Sequence, residues 1–184
     1  TAPFITNSYP DQGNPGQWLN VTISGGNLDL GDQWSPTSDF RFSQYSGTTN
    51  EFSGTLSSWY DDCGNNLCQY IDGQIFIPST QPIGMYDLEV WDQTIHDWVM
   101  LENAFEIPPP RINHIDPEKG NQGELLSVSI SGDNLLLQSS GTLSQFKFSQ
   151  WSGSNMFLGT STGYDQWDDE LYGEIDIPSN QAAG

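Results

Sequence analysis

The feature that most restricts this chain is that it repeats itself. Gly13-Asn-Pro-Gly-Gln-Trp-Leu-Asn-Val-Thr-Ile-Ser-Gly-Gly-Asn-Leu28 returns 107 positions later as Gly120-Asn-Gln-Gly-Glu-Leu-Leu-Ser-Val-Ser-Ile-Ser-Gly-Asp-Asn-Leu135. Phe40-Arg-Phe-Ser-Gln-Tyr-Ser-Gly47 returns as Phe146-Lys-Phe-Ser-Gln-Trp-Ser-Gly153 at an offset of 106, and Gly73-Gln-Ile-Phe-Ile-Pro-Ser79 as Gly173-Glu-Ile-Asp-Ile-Pro-Ser179 at an offset of 100. A period of this length means one structural unit copied. The natural division is 1–109 and 110–184, with about six surplus residues of the first copy expected in the loop that holds Cys63 and Cys68.

Within each copy the apolar residues alternate with polar ones. Leu19, Val21 and Ile23, their equivalents Leu126, Val128 and Ile130, and Tyr86, Leu88 and Val90 all show the period of two that turns one face to a core and the other to water. Helical spacing is nowhere sustained. About seven short strands per hundred residues, separated by Gly, Pro, Asn and Asp, predicts an all-β chain of tandem immunoglobulin-like sandwiches. Pro108-Pro109-Pro110 predicts a short stiff joint between the copies.

The opening Pro110-x-Ile112-x-x-Ile115-x-Pro117-x-x-Gly120-x-x-Gly123, running into Leu126-x-Val128-x-Ile130-x-Gly132-x-Asn134-Leu135, resembles the start of an IPT/TIG-type immunoglobulin-like domain. The first copy has Pro3, Ile5, Pro10, Gly13 and Gly16 in step and departs at Ser8, where the second has Ile115. The tandem arrangement and the Ser, Thr and Asn-rich surface resemble repeats of large secreted or surface proteins of bacteria. The resemblance implies a spacer, adhesive or recognition module outside the cell, and it specifies a fold far better than an activity.

Composition excludes several partners. With 24 acidic against 4 basic side chains and a net charge of −20, there is no basic patch for nucleic acid and no attraction to anionic membranes. No segment approaches the roughly 20 apolar residues of a membrane span. Yet 35% of residues are hydrophobic and 12% aromatic, enough for packed cores. Thr1 opens without a Met or a signal-peptide pattern, which reads as a processed or excised segment. Cys63 and Cys68, bracketing a Gly-Asn-Asn turn, are expected to form a small disulfide and so to place the chain in an oxidising, extracellular or cell-surface setting. A zinc site would need four ligands, and His96 and His114 lie in other segments.

The first copy continues past Gly84 with two more apolar runs, Met85 to Asp92 and Trp98 to Ile107, that have no counterpart before Gly184. The second sandwich is therefore expected to lack its last two strands, leaving unpaired backbone groups. Two readings remain: a piece of a longer repeat protein, or strand complementation, in which a neighbouring subunit supplies the strands and the protein polymerises.

Catalytic patterns are weak, and the chain reads as non-enzymatic. His96 sits in a predicted turn and His114 in a predicted strand, so neither suits a Ser-His pair. Gly159-Thr-Ser161-Thr-Gly163 matches the nucleophile elbow in letters but has no helix after it, and Ser24-Gly25-Gly26-Asn27 leads to no phosphate-binding helix or Lys. Acidic residues cluster at Asp61 and Asp62 and at Asp165, Asp168, Asp169 and Glu170, a composition that could offer oxygen ligands to calcium without EF-hand spacing. Trp59, Tyr60, Tyr164, Trp167 and Tyr172 are expected in or beside those acidic loops and outside the alternating strands. Exposed rings beside carboxylates could stack on sugars, whereas rings at the sandwich ends would cover the core. The function expected from all this is an extracellular structural or adhesive segment of a bacterial fibre, filament or adhesin, with further copies of itself or neighbouring repeats as partners. The alternative is a carbohydrate-binding module of a secreted multidomain protein, with a glycan as ligand.

Overall fold

The computed structural model describes residues 1–44, 50–64, 67–135, 138–139, 142–149, 156–165 and 169–180. None of these is helical, and the chain divides into two compact units, Thr1–Pro109 and Pro110–Gly184.

In the first unit the strands are β1 (Phe4–Tyr9), β2 (Trp18–Gly26), the short pair β3 (Gly31–Asp32) and β4 (Ser35–Pro36), β5 (Phe40–Ser43), β6 (Glu51–Asp61), β7 (Gln69–Phe76), β8 (Gly84–Asp92) and β9 (Asp97–Ile107). Seven of them form one antiparallel sheet in the order β1-β2-β7-β6-β5-β8-β9. Naming the seven A to G in chain order turns this into A-B-E-D-C-F-G, the four- and three-stranded sheets of an immunoglobulin sandwich joined through the β6–β5 pairing. The ends of the sheet meet. Ser8 Oγ donates to Ala104 O at 2.9 Å, and the segment after β1 continues along β9 through Glu106 N to Asp11 O at 2.8 Å. Alternating residues of every strand point inward, so Val21, Ile23, Phe40, Phe42, Ile71, Ile75, Tyr86, Leu88, Val90, Phe105 and Ile107 form one buried cluster. The Tyr86 hydroxyl, near the start of β8, donates to Pro82 O at 2.6 Å. That is the tyrosine corner of immunoglobulin-like sandwiches.

The second unit contains β10 (Arg111–Asp116), β11 (Leu125–Asp133), the short pair β12 (Gln138–Ser139) and β13 (Thr142–Leu143), β14 (Phe146–Ser149), β15 (Met156–Asp165) and β16 (Glu170–Asp176). Its main sheet runs β10-β11-β16-β15-β14, matching A-B-E-D-C. Among the described residues nothing corresponds to β8 and β9.

Equivalent residues do equivalent work in the two units. Gly16 (φ 83°) and Gly123 (φ 75°) occupy the left-handed position of a turn that only glycine adopts without strain. Each then donates its N–H just beyond the end of the strand that pairs with the one it leads into, Gly16 to Ile77 O after β7 and Gly123 to Ile177 O after β16, both at 2.7 Å. Asn27 (φ 55°) and Asn134 (φ 58°) end β2 and β11 in the same left-handed conformation. Register shifts recur at Ile5/Asn7 and Ile112/His114, and at Leu56/Ser58 and Ser161/Gly163. The pairing also corrects the expected insertion. Gly54 and Gly159 are equivalent at an offset of 105, so one surplus residue lies between β5 and β6 and only the remainder falls in the cysteine loop.

Candidate functional site

The two units place the same aromatic residues in the same geometry but do not cover them alike. In the first unit Phe42 stacks on Phe52 with centroids 5.4 Å apart and meets Phe40 edge-on at 6.1 Å. In the second, Phe148 stacks on Phe157 at 5.3 Å and meets Phe146 edge-on at 6.0 Å. Phe40, Phe42 and Phe52 are 0%, 0% and 5% exposed, because Phe105 of β9 lies 4.8 Å from Phe42 and Tyr86 of β8 lies 5.3 Å from Phe52. Phe146, Phe148 and Phe157 are only half-buried, with Val128, Ile175 and Ile177 behind them. Uncovered apolar area of this kind raises the free energy of the unit by about 25 cal/mol per Å² left in water.

Beside that face runs the edge strand β14. Its counterpart β5 pairs with β8 through Phe40 to Val90, Arg41 to Glu89, Phe42 to Leu88 and Ser43 to Asp87. On the outer surface of this pairing the Arg41 guanidinium donates to Glu89, lies 3.4 Å from Glu51 and sits 4.2 Å over the Trp98 ring. Lys147 takes the place of Arg41 on β14 and is exposed, and among the described residues no carboxylate pairs with it. The structure thus brings together an edge that can hydrogen-bond a strand, a half-covered aromatic face and one cation. Sequence reasoning missed the Arg41, Glu89 and Trp98 group, since 48 residues separate Arg41 from Glu89.

The residues expected to form sites lie elsewhere. Cys63 and Cys68 are disulfide-bonded with Cα atoms 5.4 Å apart. Asp61 Oδ1 accepts hydrogen bonds from Cys63 N (3.0 Å) and Gly64 N (3.1 Å), which shapes the cysteine loop. Asp61 ends β6, Asp165 ends β15 and Glu170 opens β16, with Asp169 (φ 49°) just before it; Asp62 follows β6 in a bend, and Asp168 lies outside the described residues. Glu170 Oε2 accepts from the Tyr172 hydroxyl at 2.7 Å.

The described aromatic residues lie in strands beside the acidic loops. Trp59 and Tyr60 belong to β6, Tyr164 to β15 and Tyr172 to β16, and Trp167 lies outside the described residues. The alternation that should have revealed these strands is broken by the register shifts at Leu56/Ser58 and Ser161/Gly163, which move the inward residue to Trp59 and Tyr164. Trp59 is half-buried against the first core, its indole Nε1 enclosed without a hydrogen-bond partner among the described residues, and Tyr164 packs beside Ile130 and Leu171. Tyr60 is 44% exposed and stacks on Tyr70 at 5.1 Å, while Tyr172 is exposed on a polar depression with Thr162 and Glu174.

Ser161 sits inside β15, its hydroxyl donated to Ser144 O, and β15 runs on as a strand, so the Gly159 to Gly163 segment forms no elbow. His96 occupies the exposed turn between β8 and β9, and His114 is exposed on β10. Gly25, next to last in β2, lies where a side chain would strike Phe4 O, a reason for glycine that involves no phosphate.

No family model matches the chain, and no curated protein matches it. Among solved structures it is similar to the full extracellular region of plexin A4, at 16% identity and a TM-score of 0.41, over 98% of this chain and 16% of that one.

Proposed function

We propose that the chain is a non-enzymatic, extracellular structural or adhesive module. It is read as a segment of a bacterial surface fibre, filament or adhesin built from tandem immunoglobulin-like repeats and joined to its neighbours by strand complementation. The observation that carries this is that β14 is an edge strand among the described residues, beside half-buried Phe146, Phe148 and Phe157, the face that β8 and β9 cover in the first unit. The Cys63–Cys68 bond supports an oxidising setting. A net charge of −20 supports a module that stays soluble at high local density. A calcium contribution at the β6–β7 and β15–β16 loops belongs to the same proposal, resting on the sequence positions of Asp61, Asp62, Asp165, Asp168, Asp169 and Glu170, although among the described residues no three carboxylates come together; a lower melting temperature with chelator supports it, and an unchanged one removes it.

Electron microscopy and sedimentation of the purified chain test the polymer. Filaments, or mass that grows with concentration, support it. A monodisperse monomer whose two units both melt cooperatively overturns it.

One observation favours the carbohydrate-binding alternative: Tyr60, exposed and stacked on Tyr70, offers a ring face on the outside of the sheet. A glycan array is the direct check, and a blank array removes this reading.

A further inference from the structure

We infer that the outer face of the first unit, from Trp18 and Phe76 at one end to Tyr60 and Tyr70 at the other, binds an extended stretch of an uncharged polysaccharide with equatorial hydroxyls, of the β-1,4-glucan type. This rests on the carbohydrate-binding reading and specifies where the site lies and which polymer fits it.

Paired strands build this strip. Residues directly opposite one another point to the same side of a sheet, and on the outer side the pairs are Trp18 with Phe76, Asn20 with Gln74, Thr22 with Asp72 and Ser24 with Tyr70. Tyr60 of β6 stands opposite Tyr70, and Tyr9 of β1 opposite Thr22. The two ring pairs lie six positions apart, about 20 Å at the rise of a strand. Trp18 and Phe76 have centroids 5.2 Å apart, and Trp18 is 70% exposed and Tyr9 75%. Between the rings is a shallow depression lined by Asn20, Thr22, Thr55, Ser57, Asp72 and Gln74. Gln74 Nε2 donates to Asn20 Oδ1 at 2.8 Å, and Thr22 Oγ1 to Asp72 Oδ1 at 2.9 Å. Those bonds orient the side chains and leave the Asn20 amide hydrogens and the Gln74 carbonyl oxygen without a partner among the described residues.

The chemistry of the strip selects the ligand. A pyranose with equatorial hydroxyls has C–H faces that lie against aromatic rings, and hydroxyls at its rim that reach amides and carbonyls. Rings at both ends of a long face suit a chain of sugars better than a single one. Asp72 is the one charged side chain among the paired positions of a protein with net charge −20, so the strip is close to neutral while the molecule as a whole repels acidic polymers. The second unit supplies the contrast. Its β11 and β16 pair in the same register, yet Glu170, Glu174 and Asp176 stand where the first unit has Tyr70, Gln74 and Phe76, and Leu125 stands where it has Trp18. The strip is therefore a property of the first unit's outer face and is not imposed by the fold.

The test uses the whole chain. Hydroxyethyl cellulose in a native gel should retard it and polygalacturonic acid should not, and in calorimetry cellohexaose should bind about tenfold more tightly than cellobiose, which reaches one ring pair only. Trp18→Ala and Tyr60→Ala are each expected to weaken cellohexaose binding about tenfold, the scale of one lost ring contact, with the melting temperature nearly unchanged because both rings are exposed. Gln74→Glu, the residue of the second unit at that position, should weaken binding with every ring in place, and Tyr172→Ala in the second unit should leave it unaltered. No retardation by hydroxyethyl cellulose, equal binding of the two oligosaccharides, indifference to the Trp18 and Tyr60 variants, or a Trp18-dependent dimer in place of glycan binding overturns the inference. A blank glycan array removes the carbohydrate reading and this inference with it; array hits that ignore Trp18 and Tyr60, or that are confined to acidic glycans, keep the reading and remove the strip.

Discussion

The Phe40 ring lies over Gly54 so closely that a Cβ at that glycine would overlap it. Gly73 borders the same ring from the next strand, and Phe146 is seated in the same way on Gly159 and Gly173. Two glycines on paired strands thus make a slot for one aromatic residue, and the slot holds the C-type strand against the D and E strands. Gly54→Ala is expected to destabilise the first unit by roughly 1–3 kcal/mol through overpacking, read as a lower urea midpoint. Gly159→Ala should cost less, because the half-buried Phe146 has room to turn outward. Equal losses at the two sites would show that Phe146 is as confined as Phe40.

Tyr86 ties stability to alkaline pH. Burial raises its hydroxyl above the usual 10.0, opposed in part by the neighbouring Gln81 side-chain amide. The unfolded chain therefore loses this proton first as pH rises. The folded state then holds more protons, so the contribution is complete below pH 10 and declines as pH climbs through the raised folded value. Tyr86→Phe is expected to cost about 1 kcal/mol at neutral pH for the bond to Pro82 O. It should also flatten the alkaline limb of a stability-against-pH curve, and an unchanged limb would count against Tyr86 as its source.

Reduction of the Cys63–Cys68 bond is expected to act on one unit only. Closing so short a loop contributes about 2 kcal/mol in the chain-entropy model. Hydrogen exchange should quicken at β6 and β7 with reductant, or in Cys63→Ser/Cys68→Ser, while β15 and β16 keep their rates. Quickening in both units would indicate that the loop stabilises more than its own sandwich.

Asp92 is a buried carboxylate held entirely by backbone. Its oxygens accept from Asp29 N (2.9 Å), Thr94 N (2.9 Å) and Ile95 N (3.0 Å), which pins the turn after β8 to the loop after β2. Asp92→Ala strands these donors and is expected to cost about 3 kcal/mol. Asp92→Asn, which keeps one acceptor oxygen, should lose less in a thermal melt.

Much of this architecture was readable before any coordinates. The blocks from Gly13 and Gly120 announce a copied unit, and the turn glycines and asparagines at 16, 27, 123 and 134 mark where strands end, since left-handed backbone selects those residues locally. Cys63 and Cys68 are close enough in sequence that one turn brings them together. What stayed hidden was whatever a bulge displaces: Trp59, Tyr60 and Tyr164 read as lying in or beside loops because a shifted register in β6 and in β15 cancels the alternation on which strand recognition depends.

The sequence alone therefore determined the repeat, the all-β class and the Gly, Pro, Asn and Asp punctuation between strands. These rest on period and on local backbone preference. Only the tertiary structure decided that Arg41 meets Glu89, that Phe40 needs Gly54 and Gly73, and that Phe148 is half-buried where its counterpart Phe42 is enclosed by Phe105. The reason is that strand order and cross-strand register are collective. They are set by which faces can share a core, and no short stretch of the chain carries that information.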